Sequence, residues 1–151
     1  MPRQKKSATE KSEIIKTPES KEYYQAIGRR KESTARVRLY VNGNGEIVVN
    51  NRPIDKYFPG EFAKLAYLEP LKLTDSLDRF RITVKVEGGG LSGQLGAVVH
   101  GIARTLDKIN RDQYHLALKK ANLLTRDPRA KERRKAGFAH KARARKQSPK
   151  R

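Results

Sequence analysis

The chain has 151 residues, 36% of them hydrophobic, enough for one modest core with charged extensions left over. Its 35 Lys and Arg against 16 Asp and Glu leave a formal charge of +19, which demands a polyanionic partner and makes nucleic acid the expected one. The absence of Cys excludes disulfides, thiolate metal sites and a cysteine nucleophile, and no stretch approaches the roughly 18 apolar residues of a membrane span.

Residues 1–22 carry 6 basic and 4 acidic residues and no apolar core of signal-peptide length. They read as a flexible arm rather than a leader. In the stretch 23–41, Ala35, Val37, Leu39 and Val41 alternate with Arg36, Arg38 and Tyr40, the period-2 pattern of a half-buried strand with a basic outer face. Asn42-Gly43-Asn44-Gly45 tolerates positive φ, and EIVVN follows, so these two strands are expected to form a hairpin.

Short helical patterns at 53–58 and 61–68 lead to a third strand at 80–87. There Phe80, Ile82, Val84 and Val86 alternate with Arg79, Arg81, Thr83 and Lys85. After Gly88-Gly89-Gly90 the period changes: Leu91, Leu95, Val98, Ile102, Leu106 and Ile109 recur at spacings of 3 and 4, the stripe of a helix buried on one side. A second helix at 112–121 presents Tyr114, Leu116 and Leu118 and gathers Lys119 and Lys120 at its C-terminal end, where cations suit the helix dipole. The segment 23–124 therefore reads as one compact α+β domain.

Residues 125–151 hold 12 basic and 2 acidic residues, more than half of the net charge. A run of this composition repels itself and buries too little to offset its ordering entropy, so on its own it is expected to be disordered.

Candidate chemistry is sparse. The glycine-rich turn GGGLSGQLG opens a helix, where backbone N–H groups favour an anion, but no Lys-Ser or Lys-Thr follows as a P-loop requires. A tight strand-to-helix turn and an RNA phosphate at the helix start both remain open. His100, His115 and His140 are too scattered for a metal pair and read as satisfied or surface histidines. Asp75 and Asp78 are explained by turn or helix capping as well as by acid-base catalysis. No catalytic, cofactor or metal site is expected. Gly28-Arg29-Arg30-Lys31, feeding a strand with Arg36 and Arg38, has only Glu32 as an immediate partner and reads as a face that docks phosphates.

Three blocks then stand out together: AIGRRKESTARVRLYVNGNGEIVVNNRPIDKYF, GGGLSGQLGAVVHGIARTL and LLTRDPRAKERRKAGFAHKARARKQSPKR. In order and spacing they resemble the bacterial S-nine family of small-ribosomal-subunit proteins, over about residues 23–151. The resemblance implies a mixed sheet packed with helices, of the type shared with the second domain of ribosomal protein S-five, docked on the small-subunit head in the cytoplasmic ribosome. It implies a structural role rather than an enzyme, with ribosomal RNA, peptidyl-site tRNA and neighbouring head proteins as partners.

Joined to the charge pattern, it gives an expected rRNA-contacting set of Arg29, Arg30, Lys31, Arg36, Arg38, Arg104, Arg126, Arg129, Arg133, Arg134, Lys135, Lys141, Arg143, Arg145 and Lys146. The family's tRNA contact falls on Lys150 and Arg151. The chain departs from the family at Ser148 and Pro149, where an aromatic and a serine usually precede the final Lys-Arg, and at Val99, where many relatives carry a basic residue. From residue 136 onward about 16 residues, if extended, reach at most roughly 50 Å, enough to cross RNA helices. Two other readings are a phosphotransferase, motivated only by the glycine-rich turn, and a free nucleic-acid-binding regulator.

Overall fold

A computed structural model describes residues 23–138 and 140–143; the arm at 1–22 lies outside them. Five strands form one mixed sheet in the order β1-β2-β5-β3-β4. They are β1 (Tyr23–Arg30), β2 (Ser33–Tyr40), β3 (Ile47–Val49), β4 (Arg52–Pro53) and β5 (Arg81–Glu87). The helices are α1 (Ile54–Tyr57), α2 (Glu61–Leu73), α3 (Leu91–Ile109) and α4 (Arg111–Lys120). β2 runs antiparallel to both β1 and β5, whereas β3 is parallel to β5 and antiparallel to β4.

Helix α3 lies across one face of the sheet, chiefly over β1 and β2, and α2 and α4 pack on α3. Alternation explains which side chains meet it. Ala35, Val37 and Leu39 of β2 and Ile82, Val84 and Val86 of β5 turn inward against Ala97, Val98, Ile102 and Leu106, all buried. The opposite sheet face keeps Arg36, Arg38 and Lys85 exposed.

The expected strand at 80–87 is present as β5, and α3 and α4 fall within a residue or two of the expected helices. The segment 23–41 holds two strands, not one, joined by the two-residue turn Lys31-Glu32 with Lys31 at φ 51°. Helix α2 runs to Leu73, past the expected end at 68, and buries Pro70 and Leu71. It closes in a left-handed cap at Asp75 (φ 46°), where the Asp75 N–H donates to Lys72 and the Ser76 N–H to Leu71. Asp75 is thus a cap, one of the two readings left open for it.

The expected hairpin between β2 and β3 does not form, because β5 lies between them. The glycines are needed for a different reason. A Cβ on Gly43 would lie 2.0 Å from the Arg81 nitrogen, so the chain crosses tightly over the start of β5 rather than turning back on β2. The real hairpin is one strand later: Asn50 (φ 47°) and Asn51 (φ 63°) form a two-residue turn between β3 and β4, the positive-φ pair such turns require.

Three core assignments change as well. Val41 is 47% exposed while Tyr40 is buried, because β2 ends at Tyr40 and Tyr23 covers that ring with centroids 5.8 Å apart. Leu91 is exposed because α3 meets the rest of the core only from Gly93 onward. On α4, only Tyr114 and Leu118 are buried and Leu116 faces outward, since residues two apart on a helix do not share a face.

Candidate nucleic-acid interface

β1 is the edge strand, so its outward backbone groups need partners from elsewhere. Helix α3 supplies them with side chains one turn apart. Lys108 Nζ donates to the Gln25 carbonyl at 2.9 Å, Arg104 Nη1 donates to the Ile27 carbonyl at 2.6 Å, and His100 Nδ1 accepts from the Arg29 N–H at 3.2 Å. The match is geometric: four helical residues rise about 6.0 Å and two strand residues about 6.6 Å, so each turn of α3 meets the next outward group of β1.

His100 fixes its own tautomer. With Nδ1 accepting, the proton sits on Nε2, which faces the Leu124 carbonyl at 3.2 Å. Burial holds its pKa below the ordinary value, and the guanidinium groups of Arg104 and Arg126 push the same way, against the opposing pull of the Leu124 carbonyl. The expectation of a satisfied histidine holds here. His115 pairs with Asp107 at 2.9 Å.

Leu124 reaches His100 because α4 stops sharply. Asn122 takes φ 56°, its N–H donates to Lys119, and the Leu123 N–H donates to Leu118. The chain then passes along the α3 and β1 edge, where Arg30 forms an ion pair with Asp127. Arg30, one of the three adjacent cations without a near partner in sequence, is paired from almost a hundred residues away. The first residues of the basic extension are therefore docked on the domain.

Between this edge and the start of the extension lies an open cavity of about 730 Å³, lined among others by Arg29, His100, Arg104, Lys108, Leu124 and Arg126. No carboxylate lines it. Three of its cations were expected RNA contacts; Lys108 was not among them, although its spacing of 4 from Arg104 and 8 from His100 was available in the helical pattern.

A second basic surface is the open sheet face. Arg36 stands beside Lys85, and Arg38 beside Thr83, in the β2-β5 register, and the Arg38 guanidinium lies 5.2 Å from the Tyr23 ring centroid. Asn50 and Glu87 border the same groove, of about 740 Å³. Lys31 projects at the β1-β2 turn, and Lys85 is a further cation outside the expected set. The two surfaces separate Arg29, Arg104 and Arg126 from Arg36 and Arg38.

Further along, Arg129 pairs with Asp127 at 2.6 Å and Arg143 with Glu132, which holds the Glu132 carboxyl below its usual range. Arg133, Arg134, Lys135 and Lys141 are exposed. Arg145, Lys146, Lys150 and Arg151 lie outside the described residues, as do Ser148 and Pro149. The glycine-rich turn packs on the β1-β2 hairpin: Ser33 Oγ donates to the Gly88 carbonyl at 3.0 Å, and a Cβ on Gly89 would strike that hydroxyl at 2.4 Å. Close approach and positive φ account for Gly88 and Gly89, whereas a Cβ on Gly90 would meet nothing. Among the described residues no cluster of His, Asp or Glu is arranged to hold a metal ion, and no helix is long and apolar enough to cross a membrane.

The family model of ribosomal protein S9/S16 matches residues 28–151. The chain belongs to that family. The match begins inside β1 and runs through both basic surfaces and the whole extension. An S9/S16 protein is a structural constituent of the small ribosomal subunit that binds ribosomal RNA beside other ribosomal proteins. Among the described residues, the acid-free edge and the basic sheet face are two concentrations of positive charge on the domain.

Proposed function

We propose that this S9/S16 protein anchors in the RNA of the small-subunit head through its domain, residues 23–124, and sends its extension, residues 125–151, to the peptidyl-site tRNA, where Lys150 and Arg151 contact the phosphate backbone. The sheet with helices on one face is read as the type shared with the second domain of ribosomal protein S-five, and the protein works without a catalytic step, in the cytoplasm.

The observation that carries this reading is the docked root of the extension. Asp127 on Arg30, just beyond the domain's last residue, Leu124, itself held on His100, gives a strongly cationic segment a defined starting point on the domain. Cations on such a segment release counterions from RNA and position it without reading sequence. Arg151 suits the end of it, since a guanidinium presents a planar fork to phosphate.

The test is removal of residues 149–151 from the full chain. Subunits should assemble with the shortened protein and hold peptidyl-site tRNA less tightly. Unchanged tRNA affinity in correctly assembled subunits would remove the tRNA contact from the proposal and leave the RNA anchor.

A further inference from the structure

We propose that the cavity at the β1 edge is a discrete binding site for one phosphodiester group of an RNA strand, held by Arg29, Arg104, Lys108 and Arg126. The inference rests on the RNA-binding role above and adds to it a particular place, separate from the sheet face and from the end of the extension.

The charge balance points to an anion. Among the described residues, Arg30, Arg81, Arg129 and Arg143 each have a carboxylate partner. The four cations of this cavity have none. Arg104 and Lys108 are instead bonded to the carbonyls of Ile27 and Gln25, which fixes the side chains without neutralising them. Fixing them beforehand lowers the ordering cost of binding, and a guanidinium with one donor engaged keeps four for a ligand.

Size and lining decide which phosphate. About 730 Å³ is far more than one phosphate ion fills and lies within the range of sites for small organic groups. Ala26, Ile27 and Leu124 provide an apolar wall against which a sugar can lie. No Phe, Tyr or Trp lines the cavity, so it is suited to grip a strand by its backbone rather than to stack a base. Because Arg126 belongs to the root of the extension, a strand bound here would fix the point from which the extension departs.

The experiment is the salt dependence of binding between the full-length protein and the head-domain RNA of the small subunit. The variant Arg29→Gln with Arg126→Gln is compared with Lys56→Gln plus Lys64→Gln, which removes the same charge from the exposed surfaces of α1 and α2. Loss of one phosphate contact makes the logarithmic salt slope shallower by roughly 0.7 to 0.9. The cavity variant should show that change with roughly tenfold weaker binding, while the control variant keeps the wild-type slope.

Equal slopes in the two double variants overturn the site and leave the ribosomal role standing. Failure of the wild-type chain to bind the RNA overturns both. Inorganic phosphate at about 1 mM, in buffer matched for ionic strength with chloride, should leave RNA binding unchanged; displacement of the RNA would assign the cavity to free phosphate and overturn the phosphodiester reading. Arg29 and Arg126 are both exposed, so circular dichroism should match wild type and confirm that the variants fold.

Discussion

The imidazole of His100 accepts the main-chain N–H of Arg29, 71 positions earlier, and through its other nitrogen faces the carbonyl of Leu124, so one ring joins the sheet edge, the core helix and the root of the extension.

Replacing that ring with His100→Phe keeps its shape and leaves the Arg29 N–H and the Leu124 carbonyl unpaired. Stability should fall by about 2 kcal/mol in urea unfolding. Folding also lowers the His100 pKa, so the unfolded chain takes up the proton first as pH falls. The group's contribution is complete above its ordinary value of 6.5 and declines as pH drops below it. Unfolding at pH 7.5 and pH 5.5 should show a smaller difference in the variant than in the wild type.

Gly28 sets how closely α3 lies on β1. A Cβ there would sit 1.9 Å from the Ala97 carbonyl oxygen and 2.4 Å from the Gly101 nitrogen, both main-chain atoms of the helix. Gly28→Ala must move the helix rather than a rotamer. A loss of about 3 kcal/mol, at the upper end of overpacking costs, is expected in thermal or urea unfolding.

The Asn50 side chain acts as an extra rung of the sheet: its Nδ2 donates to the Val86 carbonyl and its Oδ1 accepts the Val86 N–H, each at 3.0 Å. Asn50→Ala deletes both bonds and leaves alanine at φ 47°. Stability should fall by about 2 kcal/mol. Asn50→Asp keeps the accepting oxygen but loses the donor, so it should fall between the two in the same unfolding measurement.

On the sheet face, Arg36→Gln with Arg38→Gln removes two exposed cations from opposite the helix layer. Folding stability should change by less than about 0.5 kcal/mol each. Binding to head-domain RNA should weaken at low salt and converge toward wild type as salt rises, as measured by filter binding across a salt series.

Periodicity carried most of the fold. The alternation through Val37 and Leu39 and through Ile82 and Val84, and the 3-4 spacing through Val98, Ile102 and Leu106, each report burial against one layer, and the structure buries all of them. Strand partnership was not legible in the same way. Gly43 and Gly45 carry a real demand for glycine, but one residue type serves both a reverse turn and a close crossing, and only the position of β5 tells them apart. The paired Asn50 and Asn51 were the better hairpin signal.

The same limit applies to the site. Arg29, Arg104 and Arg126 each belong to the expected RNA-contacting set. Their meeting in one cavity depends on the register of α3 against β1 and on the left-handed cap at Asn122, neither of which a charge count contains. Lys108 shares a helix face with His100 and Arg104 by its spacing, but only the Gln25 carbonyl opposite it distinguishes it from a solvated lysine near a helix end.

The ladder from α3 to β1 also bears on the life of the chain before it meets RNA. An open strand edge invites a second copy to add its own strand, and a ribosomal protein must travel between synthesis and assembly without doing so. With one main-chain group each of Gln25, Ile27 and Arg29 already bonded to Lys108, Arg104 and His100, side chains of α3 stand along that edge where a second strand would pair, and the far edge is a two-residue strand ending in Pro53, which has no N–H to give. The side chains that ready the cavity for a polyanion are therefore also those that keep the sheet from extending itself while none is at hand.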